Sequence, residues 1–192
     1  MTNLSDLGAR ALSYPSTVRA SYQMAKAAIE AHIPGDFVEC GVFAGTQAAA
    51  MARAVMESME DRKVHLFDSF EGIPLAGEHD KEFLAAGHQA GLSTCTREAV
   101  ERHMQEWGID PRILVYRPGW FSETVPRFNG NIAVLRLDGD LYESTKVCMD
   151  HLYPKLSVGG WCIVDDWQLS GARKAVEDAI GAPGPIYFQR NG

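Results

Sequence analysis

Cysteine is scarce in this chain and nowhere paired. Cys40, Cys95, Cys148 and Cys162 form no Cys-x-x-Cys and have no zinc-like spacing with histidine. Cys40 and Cys162 sit in apolar runs and Cys148 in a helix-like stretch, where small buried thiols are common. That excludes a disulfide scaffold and a zinc module, and points to a reduced, cytoplasmic protein. Positive charge is also short. Lys and Arg number 18 against 25 Asp and Glu, a formal charge of −7, so there is no basic footprint for nucleic acid or an anionic membrane. No apolar run approaches the ~18 residues of a membrane span. The N-terminus lacks a basic segment followed by a long apolar core, so no signal peptide is expected. Repeats and low-complexity tracts are missing too. What remains is a chain of 192 residues, 46% hydrophobic and 22% charged, expected to form a single domain over residues 1–192.

Short apolar runs alternate with helix-length segments. Residues 16–31 carry Val18, Tyr22, Ala25 and Ile29 at helical spacing and make residues 1–35 a helical N-terminal segment. Strands are expected at 37–40, 64–67, 113–116, 132–137 and 161–164, with helices at 46–59, 97–107, 143–156 and 172–180. This alternation predicts an α/β fold, Rossmann-like, with a mostly parallel central sheet and helices on both faces. Right-handed crossovers place all the strand ends on one edge, where ligands bind near the switch in strand order. Pro183-Gly-Pro-Ile-Tyr-Phe-Gln-Arg190 reads as a final antiparallel edge strand. Residues 73–96 are too long for an ordinary connection. They form a lid or substrate loop, with a short helix around 80–86, or else a tolerated surface insertion.

Several strands stop abruptly at carboxylates. The fourth ends at Asp138, followed by Gly139 and Asp140; the fifth ends at Asp165-Asp166. Neighbouring parallel strands lie about 4.8 Å apart, so Asp138, Asp165 and Asp166 are expected to meet. Three carboxylates in one pocket repel unless protons or a cation intervene, and a hard divalent ion such as Mg²⁺ is the simplest resolution. Gly41-Val-Phe-Ala-Gly45 links the first strand to a helix, allowing a tight turn and close approach of a ligand, but it is not the dinucleotide Gly-x-Gly-x-x-Gly. Asp68, ending the second strand, is placed either to accept ribose hydroxyls or simply to face water. Arg136 lies in a buried-type strand and requires an ionic partner there, most simply an architectural one. His79, His88 and His103 are read as ordinary surface or loop residues, and His65 and His151 as structural.

Taken in order, Val38-Glu-Cys-Gly-Val-Phe-Ala-Gly45, Asp68-Ser-Phe-Glu-Gly72, Pro118-Gly-Trp-Phe121, Leu135-Arg-Leu-Asp-Gly-Asp-Leu-Tyr-Glu-Ser-Thr145, Tyr153-Pro-Lys-Leu156 and Gly159-Gly-Trp-Cys-Ile-Val-Asp-Asp166 resemble the macrocin O-methyltransferase (TylF/MycF-like) family over about residues 36–180. The resemblance implies Mg²⁺- and S-adenosylmethionine-dependent methylation of a sugar hydroxyl in a natural product. It implies Asp138, Asp165 and Asp166 as metal ligands, with Asp140 as general base and Asp138 as the rival for that role. Glu39, Gly41, Gly45, Asp68, Ser69, Gly119 and Trp120 fall on the methyl-donor side. Trp120 either flanks the adenine or belongs to the core. Ser144 and Thr145 are helix-start hydrogen-bonders or substrate contacts.

The segment before the first strand and the C-terminal end are shorter than the family's usual pattern, and residues 73–96 diverge from it. These are regions in which relatives recognise their acceptors. Donor and metal assignments therefore transfer better than the substrate, and a homodimer is only suggested. The expected partner is a small glycosylated hydroxyl acceptor; a catechol-type acceptor is the alternative within the class. A non-catalytic S-adenosylmethionine-binding module and a nicotinamide oxidoreductase are the rivals from other classes. The metal-ready trio counts against the first, and the glycine spacing against the second.

Overall fold

The computed structural model describes residues 15–181 and 187–191. Its centre is a run of six consecutive buried residues, Ile132–Leu137, which forms strand β4. A strand apolar on both sides suits the middle of a parallel sheet covered by helices on each face. Beside it lies β1 (Asp36–Cys40), then β2 (Val64–Asp68) and β3 (Leu114–Pro118) on one flank. On the other are β5 (Leu156–Val164) and β6 (Tyr187–Gln189). The order is β3-β2-β1-β4-β5-β6. All pairings are parallel except β5 with β6, where Cys162 faces Phe188. The expected antiparallel edge strand is thus present over three residues, while residues 183–186 lie outside the described ones.

The two faces divide by the strand period of two. Phe37, Leu66, Val134 and Ile163 pack towards helices α1 (Pro15–Glu30) and α2 (Thr46–Ser58). Val38, Phe67, Leu135 and Val164 point to the opposite layer. Residues Thr46 to Val55 of α2 are all buried, because α1 covers the side that the sheet does not. Small residues on both helices, Ala25, Ala28, Ala48 and Ala52, are fully buried and permit this close packing. The opposite layer holds α6 (Tyr142–Leu152) and α7 (Ser170–Ile180). Between α2 and α6 in sequence come α3 (Lys81–Ala85), α4 (Arg97–Glu106) and the short α5 (Phe121–Thr124).

Several boundaries differ from expectation, three of them for a visible reason. The helix expected over 143–156 stops at Leu152, and Tyr153–Lys155 form a 3₁₀ turn containing Pro154. β5 begins at Leu156 rather than 161, because Gly159 at φ 81° bends it without ending its pairing. Ile113 belongs to a 3₁₀ turn whose first N–H groups are capped by Asp110, so β3 starts one residue later. Residues 73–96 are closed at their base by an antiparallel bridge between Ile73 and Leu92, giving a compact loop around α3. No helix among the described residues is long and apolar enough to cross a membrane.

Candidate active site

The chain runs from β1 outward to β2 and β3, then returns to place β4 on β1's other side. The crevice of such a sheet opens at this switch point. Here the hydrogen-bond ladder continues one residue past the strands: Asp138 N–H donates to Cys40 O at 2.8 Å, and Gly41 N–H to Phe67 O at 2.9 Å. Asp165 N–H donates to Leu137 O and Gly119 N–H to Asp68 O, both at 2.9 Å. The first loop residue after each strand is therefore fixed by its neighbour strand. Gly41 has φ 89°, and a Cβ there would lie 1.8 Å from Asp138 O, so only glycine allows the two loops to touch.

Above this edge lies a cavity of about 1020 Å³. Glu39, Gly41, Asp68, Ser69, Trp120, Asp138, Asp140, Asp165 and Asp166 all line it. Gly45 and Gly119 do not. A Cβ on Gly45 would meet Met104 and Val100, so this glycine seats the start of α2 against α4. Gly119, at φ 126°, turns the chain ahead of Trp120. Trp120 is 36% exposed, which makes it a wall residue and not a core aromatic. The sequence reading missed Thr17, Phe43, Gln47 and Gln168, which also line the cavity. The first and third come from helices whose apolar pattern concealed them. None of the histidines lines it: His88 Nε2 lies 2.9 Å from Pro74 O, His103 Nδ1 3.0 Å from Ala44 O, and His65 pairs with Asp36.

Asp68 organises the glycine loop. Its Oδ2 accepts from Val42 N–H at 2.6 Å and Phe43 N–H at 3.2 Å, and its Oδ1 from Phe70 N–H at 2.7 Å. Phe43 is held at φ 44°, a conformation rare for a bulky residue. These bonds supply part of what stabilises it.

Arg136 finds the partners its burial requires. It is fully buried, with Nη1 3.2 Å from Glu39 Oε1 and 2.7 Å from Asp138 Oδ2, and Nη2 2.8 Å from Asp165 Oδ1. Burial opposes its charge, but the surrounding Asp138, Asp165 and Glu39 outweigh that and raise its pKa. One guanidinium nevertheless faces too many carboxylates. Burial pushes Glu39 up to about 8 despite Arg136, and its Oε2 has no hydrogen-bond partner. Burial also raises Asp140, reinforced by Asp138 and Asp165, and raises Asp166, reinforced by Asp138 and Asp140.

The carboxylates that converge are not quite the expected set. Oxygen atoms of Asp138, Asp140 and Asp166 all lie within 4.8 Å of one another, whereas Asp165 turns one oxygen to Arg136. Asp140 joins because it adopts φ 60° and donates its N–H to Asp166 Oδ2 at 2.9 Å. A left-handed residue was not legible in the Asp-Gly-Asp spelling. The group consists of oxygen donors and carries excess negative charge, and Asp140 and Asp166 bind protons more tightly than free carboxylates do. That chemistry fits a hard divalent cation. On the other side of Asp138, the unpartnered Glu39 oxygen and the open backbone at Gly41 fit a polar ligand with hydrogen-bond donors.

Proteins of similar sequence and fold are O-methyltransferases. The O-methyltransferase NovP superposes with a TM-score of 0.83 at 32% identity, covering 93% of this chain and 81% of that one. The 8-demethyl-8-(2,3-dimethoxy-alpha-L-rhamnosyl)-tetracenomycin-C 4'-O-methyltransferase of Streptomyces olivaceus is 40% identical over 159 residues, 79% of this chain and 60% of that protein. The demethyldecarbamoylnovobiocin O-methyltransferase of Streptomyces niveus is 38% identical over 158 residues, with the same shares of 79% and 60%. The chain thus spans about 60% of the length of these curated relatives. The model of the family described as macrocin-O-methyltransferase (TylF) matches residues 17–181. On that match and these identities, the chain belongs to the macrocin-O-methyltransferase (TylF) family.

Proposed function

We propose that this protein transfers a methyl group from S-adenosylmethionine to a hydroxyl oxygen on a sugar portion of a natural product, with the help of Mg²⁺. The observation that carries this reading is the meeting of Asp138, Asp140 and Asp166 in the same cavity as the glycine loop. When bound, Mg²⁺ supplies Lewis acidity that makes a hydroxyl proton easier to remove, and S-adenosylmethionine supplies an electrophilic methyl on a sulfonium. Everything else falls to the chain's own residues.

Asp138 and Asp166 would hold the cation, and Asp165 offers the carboxylate that Arg136 orients. Asp140 takes the hydroxyl proton. It suits the task better than Asp138, whose Oδ2 is committed to Arg136 at 2.7 Å. The deprotonated acceptor oxygen would then take the methyl group that the bound donor supplies, with the sulfide sulfur as leaving group and keeping the electron pair. Placing these atoms in line accounts for much of the acceleration. On the donor side, Glu39 Oε2 accepts from the ligand, while Asp68 and Ser69 shape the loop after β2. Gly41, Gly45 and Gly119 set the backbone, and Trp120 forms a wall for the adenine.

The name of the tetracenomycin relative specifies a rhamnosyl-bearing substrate, which favours a sugar acceptor here. Ile73 and Pro74 add apolar surface to the cavity beside Ser93. That surface suits an aglycone next to the sugar, and a catechol is the alternative it would serve. The deciding experiment offers isotopically labelled S-adenosylmethionine with Mg²⁺ to a panel of rhamnosylated aglycones and simple catechols. Mass gain on the sugar supports the proposal, gain on catechols alone replaces the acceptor, and no transfer to any member refutes it.

A further inference from the structure

Asp80 is only 2% exposed although it belongs to the loop segment 73–96. Its Oδ2 accepts from Gly77 N–H at 2.8 Å, which folds the segment's own turn. Its Oδ1 accepts from Tyr142 N–H at 2.7 Å, the first residue of α6. Leu141 precedes that helix and has no side chain that could cap it, so a carboxylate 62 residues earlier in sequence does so. An acidic group there also complements the helix dipole. The neighbouring helix α7 is treated alike. Leu169 offers no cap, and Glu82 Oε2 accepts from Ser170 N–H at 3.2 Å, with Ser170 Oγ 2.8 Å away. Ser170 Oγ also lies 2.9 Å from His79 O, and the His79 ring sits 4.3 Å from that of Tyr142. All three strands of chain meet at Gly171, where a Cβ would fall 1.9 Å from Asp80 Oδ1 and 3.1 Å from Tyr142 N.

These two helices are the ones that directly follow the carboxylate loops, 138–141 and 165–169. The same segment lines the cavity through Ile73, Pro74 and Ser93. We infer that Asp80 is a positioning residue: it clasps the cavity-facing segment 73–96 onto both loops that present Asp138, Asp140 and Asp166, so that seating the segment and aligning the carboxylates are one event. The inference rests on reading those carboxylates as the cation and proton-transfer site. The segment is then a working part of that site, and not a tolerated insertion.

Asp80→Asn retains the size of the side chain but can satisfy only one of the two N–H donors. Gly171→Ala attacks the same junction from the other side, and Leu84→Ala, on the exposed face of α3, serves as control. Amide hydrogen exchange on the ligand-free protein is expected to quicken about tenfold or more over 138–145 and 165–173 as well as 74–86. Mn²⁺ affinity should fall roughly 10- to 100-fold, as for other residues that orient ligands from behind, with S-adenosylhomocysteine affinity unchanged and Leu84→Ala silent throughout. Faster exchange confined to 74–86 overturns the clasp, and so does an equal loss of both affinities, which marks general loosening. If the unaltered protein takes up no Mn²⁺, the proposed function fails on that result, while the exchange pattern still decides the clasp.

Discussion

Glu39 and Arg136 are direct cross-strand partners in the parallel β1–β4 pair, and their side chains meet 3.2 Å apart with 1% exposure each. Through this contact one guanidinium joins Glu39, beside the glycine loop, to Asp138 and Asp165 at the ends of β4 and β5. Replacing one partner of a buried ion pair strands the other. Arg136→Met leaves three carboxylates without their counter-charge and should cost about 3–5 kcal/mol. Urea denaturation checks this, and a loss under 1 kcal/mol would show that the pair is dispensable.

Gly41 and Gly108 both adopt positive φ, at 89° and 68°, but only Gly41 is crowded. Gly108→Ala meets nothing within 4 Å and should cost only the backbone term, about 1–2 kcal/mol. Gly41→Ala must in addition push Asp138 O away. It should therefore destabilise the chain further and weaken binding of donor and cation together. Thermal melts with and without S-adenosylhomocysteine separate the two outcomes.

The Asp68 carboxylate holds the turn that shapes the donor loop. Asp68→Ala is expected to weaken S-adenosylmethionine binding at least about tenfold, the worth of one or two charge-assisted hydrogen bonds, with little change in Mg²⁺ affinity. Calorimetric titration of each ligand tests it. A larger effect on Mg²⁺ would move Asp68 to the other half of the site.

Burial and mutual repulsion raise Asp140, Asp166 and Glu39 above the ordinary carboxylate range. The folded state therefore binds more protons than the unfolded chain between that range and the raised values. The stability these three groups contribute to the cation-free protein should be full below the unfolded pKa of about 4 and be lost as pH rises through about 7 to about 9. On the proposed function Mg²⁺ would replace the lost protons, so its effect on the melting temperature should grow between about pH 7 and about pH 9. A shift that does not vary with pH would contradict this charge balance.

Elements with strong period and clear stops were legible in the sequence. The strand at Ile132–Leu137 agrees at both ends, because an apolar run that halts at Asp-Gly-Asp leaves little freedom. The helix at Arg97–Glu106 is marked by Thr96, whose hydroxyl accepts from Ala99 N–H. Boundaries failed at Gly159-Gly160, where glycine punctuates without ending the strand, and at Pro154, where the helix has already given way to a 3₁₀ turn. Within the site, the strand-end rule brought Asp68, Asp138, Asp165 and Asp166 to one edge. It could not reveal that Asp140 turns left-handed towards Asp166, or that Asp80 reaches across to cap α6. Both depend on contacts between distant segments, which local periodicity does not encode.

The most direct test is calorimetric titration of Mg²⁺ into the unaltered protein and Asp166→Asn, each saturated with S-adenosylhomocysteine. One ion should bind per unaltered chain, and loss of a ligand carboxylate should weaken it at least about 100-fold while the nucleoside remains bound. Equal affinity in the two proteins, or no uptake by either, would contradict a cation held between the ends of β4 and β5.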